Sequence, residues 1–166
     1  TGSTERAFGG LQSGTLVPII GANFINNTGS PITSLAISYV GEQWRLGALN
    51  RVDRIDFQLS TDATSLTIGT YVDHNGLDFS SPSTTATGAL DGNSAANRTS
   101  ISFTITGLNI ANGATFFGRW VDSNATGSDD GLAVDDFSLT PSGPAALTIT
   151  CPGNIAVPNE PNQCSK

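Results

Sequence analysis

The period of the apolar residues constrains this chain more than any other feature. Between Ile32 and Val40, Ile32, Ser34, Ala36 and Ser38 alternate with Thr33, Leu35, Ile37 and Tyr39. Successive side chains of a strand point to opposite sides, so this pattern predicts a half-buried strand with Leu35, Ile37 and Tyr39 inward. Gly41-Glu42-Gln43-Trp44-Arg45-Leu46-Gly47 continues that strand or begins the next. The same period recurs at Ile101, Phe103 and Ile105, and through Val52, Ile55, Phe57 and Leu59, with a change of register near Arg54. No segment sustains a 3.6-residue apolar period over three turns, so little helix is expected.

Turn chemistry separates the runs. Gln12-Ser13-Gly14, Asn26-Asn27-Thr28-Gly29-Ser30-Pro31 and Asp91-Gly92-Asn93-Ser94 are turn clusters, and Asn112-Gly113 is of the hairpin type. Pro18, inside the run from Leu16 to Phe24, favours an edge strand or a bulge. The polar stretch from Thr61 to Arg98 predicts loops with one or two short strands. Many short strands between turns predict an all-β fold, an antiparallel β-sandwich of jelly-roll type, over residues 5–140. Residues 1–4 are expected to be a tag remnant, because the chain has no Met and opens Thr1-Gly2-Ser3. Residues 141–166 form a Pro/Gly linker and the start of something new.

Composition bounds the partners. The chain of 166 residues has 37% hydrophobic and 13% charged residues, with a net charge of −7. Without a basic stripe to replace phosphate counterions, nucleic acid is excluded as a partner, and an anionic membrane surface is disfavoured. No apolar run approaches the ~20 residues that span a bilayer, so no membrane insertion is expected. The body lacks thiols. Cys151 and Cys164 both lie in the last sixteen positions, which suits export. They are expected to pair if the chain is oxidised, or to pair with cysteines beyond Lys166.

Five of the fourteen acidic residues fall between Asp122 and Asp136, around Gly127-Ser128. Asp122, Asp129, Asp130, Asp135 and Asp136 offer the oxygen ligands calcium takes, though not at EF-hand spacing. The bland reading is a solvated acidic tip. Trp44, Trp120 and Tyr71 are candidates for stacking on sugar rings, with Arg45 and Arg119 beside them to bind hydroxyls, carboxylate or sulfate. The competing reading puts both tryptophans in the core and pairs the arginines with Glu42 or Asp122. His74 is the single histidine, and no Gly-x-Ser-x-Gly elbow occurs, so no catalytic site is expected.

Two resemblances add to this. Val134-Asp135-Asp136-Phe137-Ser138-Leu139 resembles the closing strand of jelly-roll accessory and carbohydrate-binding modules of secreted bacterial enzymes. In that family group an acidic residue of the strand often helps hold a structural calcium, which the resemblance implies here. Glu5-Arg6-Ala7-Phe8-Gly9, Gly41-Glu42-Gln43-Trp44-Arg45 and Arg119-Trp120-Val121-Asp122 are similar to motifs of an uncharacterised module of large secreted bacterial proteins. Ile149-Thr150-Cys151-Pro152-Gly153-Asn154-Ile155, with Asn159-Glu160-Pro161-Asn162-Gln163-Cys164, resembles the opening of a hyalin repeat. That implies a multi-domain parent, secreted or at the cell surface. The expected function is a non-catalytic module binding polysaccharide, neutral or anionic, through Trp44, Arg45, Tyr71, Arg119 and Trp120. The alternative is a structural or adhesive spacer.

Overall fold

The computed structural model of the chain describes residues 6–144. The expected tag remnant and the hyalin-like segment with Cys151 and Cys164 lie outside the described residues. Among the described residues ten strands run in order: β1 (Phe8–Leu11), β2 (Ile19–Ile25), β3 (Ile32–Leu46), β4 (Arg54–Ser60), β5 (Val72–Asp73), β6 (Phe79–Ser80), β7 (Gly88–Ala89), β8 (Arg98–Ile110), β9 (Thr115–Asp122) and β10 (Gly131–Ser142). The helical content among the described residues is one 3₁₀ turn, Asn75–Leu77.

All strand pairs are antiparallel, and they form two sheets. The first has the order β1-β10-β3, with β8 and the short β7 on the far side of β3. The second has the order β2-β9-β4, with β5 and β6 on the far side of β4. The chain therefore alternates between sheets through its first four strands, and its last strand inserts between the first and third. This is the jelly-roll order. Closure of each sheet around a late strand explains why contacts are overwhelmingly long-range in sequence.

The expected inward residues of β3 are buried: Leu35 at 0%, Ile37 and Tyr39 at 2% exposure. They meet Ile55, Phe57 and Leu59 of β4 and Phe116 and Trp120 of β9 across the gap between sheets. Each such apolar side chain contributes about 1.5–3 kcal/mol on burial. β3 is one continuous strand of fifteen residues, so Gly41–Leu46 continues it. A Cβ at Gly41 would collide with the Phe79 ring, so the crossing of the sheets needs glycine there.

β2 begins just after Pro18 and lies at an edge, as that proline suggested. The polar stretch contributes three two-residue strands where one or two short ones were expected. The Asn112-Gly113 turn differs from expectation. It carries the chain from β8 in one sheet to β9 in the other, so the strands it joins are not hydrogen-bonded partners. Gly113 takes φ 83°, the left-handed geometry that the dipeptide favours in either setting.

Candidate functional site

At the end of the sandwich where β9 gives way to β10, the loop 123–130 folds back against the chain before β4. Asp130 is wholly buried and Asp53 is 2% exposed. The carboxylate of Asp130 accepts from Gly47 N (2.7 Å), Gln43 Nε2 (2.9 Å) and Arg51 Nη2 (3.3 Å). Asp53 accepts from Asp130 N (2.7 Å) and Arg54 N (2.9 Å), and pairs with Arg51 Nη1 at 3.0 Å. Both carboxylates are thus fully engaged. A Cβ at Gly47 would strike the carbonyls of Ser128 and Asp129, so the loop can close only on glycine. Arg51 and Arg45 hold it shut by donating to those same two carbonyls.

Asp129, 5% exposed, accepts from Ala125 N at 2.8 Å and so turns the loop on itself. Asp122, at the end of β9, behaves differently. It is 3% exposed, and its Oδ2 accepts from Gln12 N at 3.2 Å. Its Oδ1 is buried with no hydrogen-bond partner. Gln12 is equally buried. Its Nε2 donates to Gly14 O at 2.9 Å, while its Oε1 is likewise buried and unpartnered. Burial pushes the Asp122 carboxyl up to about 7, and the charge of Asp53, and less strongly Asp129 and Asp130, adds to this against the pull of Gln12 N–H.

The other sequence-derived candidates are dispersed. Arg119 and Trp120 are neighbours in a strand, so they face opposite ways. Trp120 faces inward and is 7% exposed, edge-on to Tyr39 (5.2 Å), Phe57 (5.0 Å) and Phe137 (5.5 Å between ring centres). Arg119 faces outward. Its guanidinium lies 3.5 Å over the Tyr71 ring, its Nε donates to Gln58 Oε1 at 2.8 Å, and Nη1 donates to Leu66 O. Tyr71 and Arg119 are brought together, but with each other as partners.

Trp44 is half-buried on the outer side of β3, its Nε1 donating to Glu42 Oε2 at 2.9 Å. The loop at Gly92 lies so close to the indole that a Cβ there would overlap it. Arg45 points to the acidic loop instead. Asp135 and Asp136 lie further along β10: Asp135 stands opposite Val40, and Asp136 is exposed with φ 50°. Neither shares the contacts that join Asp53, Asp129 and Asp130. Among the described residues no set of three or more His, Cys, Asp or Glu side chains is arranged to hold a metal ion. His74 is half-buried near Phe57 (6.5 Å), and burial lowers its basicity.

Asp53, Gln12, Gln43 and Arg51 were not singled out in the sequence. The register change near Arg54 was the one local signal that the chain there leaves the sheet and turns its carboxylate toward the loop. Comparison of the chain with protein-family models, with curated proteins and with solved structures found no match. None of the described helices is long and apolar enough to cross a membrane.

Proposed function

We propose that the domain is a non-catalytic structural spacer of a secreted or cell-surface protein, joined in series to other domains of its parent chain. The supporting observation is that the groups best suited to holding a sugar are consumed by the domain's own contacts. Trp120 packs in the core, the Trp44 N–H is taken by Glu42, Arg119 is divided among Tyr71, Gln58 and Leu66, and Arg45 closes the acidic loop. A stacking site needs a free aromatic face with polar groups beside it. The buried carboxylates also lack the freedom of an acid/base pair, since Asp53 and Asp130 are tied by backbone N–H groups and Arg51.

One observation favours the polysaccharide reading. The outer side of the first sheet bears Ser38 and Ala36 between Ser102 and Thr104 on β8 and Ser138 and Thr140 on β10, lining a depression of about 440 Å³. Apart from Ile37 and Phe103 its lining is small residues and hydroxyls, so any affinity there is weak. Affinity electrophoresis and a glycan array with neutral and sulfated polysaccharides separate the two. The spacer reading predicts no retardation by any of them. Retardation would overturn it. Its loss in Thr104→Trp would then place the glycan in the depression, and its loss in Arg119→Ala at the Tyr71–Arg119 pair.

A further inference from the structure

We propose that Gln12 Oε1 and Asp122 Oδ1 are side-chain ligands of a calcium ion that joins the β1–β2 connection to the end of β9. The inference does not depend on whether the domain also binds a glycan. Its basis is a pair of buried oxygens with nothing to accept from. Both residues are 3% exposed, and neither oxygen has a partner. Buried polar atoms in folded proteins are nearly always satisfied, so two such orphans on residues in mutual contact call for a common partner. The Gln12 backbone N–H on Asp122 Oδ2 holds the carboxylate against the Gln12 main chain across 110 residues of sequence. The Gln12 amide is fixed in orientation by its bond to Gly14 O, so the oxygen cannot be exchanged for the nitrogen without losing that bond.

A partner that carries positive charge suits these oxygens best. Asp122 feels Asp53, Asp129 and Asp130 around it, and Arg51 is already committed to Asp53, Asp130 and Ser128. The donors are all oxygen, one carboxylate and one amide. That chemistry fits calcium, which accepts six to eight carboxylate, amide, carbonyl and water oxygens in irregular geometry. Magnesium asks for a near-ideal octahedron, and zinc for nitrogen or sulfur, of which the single histidine is elsewhere. Asp130 and Asp53, each saturated by hydrogen bonds, shape the site without ligating.

The experiment uses the full chain, stripped with chelator and then titrated with calcium or magnesium chloride, reading the thermal midpoint and, by calorimetry, stoichiometry. One calcium per chain and a midpoint that rises with calcium are expected. Asp122→Asn keeps the shape and lets an amide N–H donate to Gln12 Oε1. It is expected to stay folded by circular dichroism and to bind calcium roughly tenfold or more weakly. Gln12→Leu should weaken binding likewise, and Asp135→Asn should leave it unchanged. Identical midpoints in calcium and chelator would overturn the proposal, the orphan oxygens then sharing a proton. So would an equal response to magnesium, or a calcium response that survives in both Asp122→Asn and Gln12→Leu or vanishes in Asp135→Asn.

Discussion

Tyr39 reaches across the core to donate its hydroxyl to the carbonyl of Leu77 at 2.6 Å, closing the 3₁₀ turn over the sheet edge. Burial pushes its phenol well above the ordinary value of 10.0. The fold holds the neutral form, so the stabilisation is complete below pH 10 and is lost as pH rises beyond it. Tyr39→Phe is therefore expected to cost about 1–2 kcal/mol at neutral pH, by leaving the Leu77 carbonyl unpaired. It should also remove part of the alkaline loss of stability. Tyr71 is shifted the same way but is less buried, so the difference between variant and wild type isolates Tyr39. Denaturant midpoints from pH 7 to 11.5 read both effects, and parallel curves for the two proteins would refute the assignment. What was legible at this scale was the parity of β3, where Leu35, Ile37 and Tyr39 had to share a face. The same parity parts Arg119 from Trp120, against the shared site expected of them. Gln12 was not legible, because its partner Asp122 arrives only when β1 and β9 are brought to the same end of the fold.

β10 carries the clearest lesson at the scale of elements. Its apolar residues Val134, Phe137 and Leu139 are spaced three and then two apart, which no regular strand allows on one face. The pairing with β3 slips by one residue between Asp135 and Ser138, a β-bulge that turns Leu139 toward the core and Phe137 to its rim, where Phe137 stays 39% exposed. Phe137 then meets Trp120 and Phe24. The bulge puts Asp136 at φ 50°, where a residue with a Cβ is strained. Asp136→Gly is expected to be neutral or to stabilise by about 0.5–1 kcal/mol, and the β-branched Asp136→Val to destabilise by about 1–2 kcal/mol. Urea midpoints check this, and a stabilising Val would refute the left-handed geometry. The Asp-Asp pair reads as a ligand pair in sequence, yet half of it serves this backbone turn. The Asn112-Gly113 turn misled for a related reason. A turn sequence specifies a reversal of direction, not which sheet receives the next strand.

At the scale of the molecule, the alternation of short strands sufficed for the two-sheet class, since each strand has one apolar side to bury. The acidic end depended on closure of the whole barrel-like order, which brings residues 12, 43, 53, 122 and 130 together from five separate segments. No local window contains that information. The functional reading rests on the same closure, because it decides that Trp120 is core and not a platform for a ligand. The direct test is the fluorescence of the Trp44→Phe variant, in which Trp120 is the sole indole. The account predicts emission blue-shifted from that of free tryptophan and weak quenching by acrylamide until the protein unfolds. Emission at the wavelength of a water-exposed indole, quenched in the folded protein as readily as free tryptophan, would contradict it.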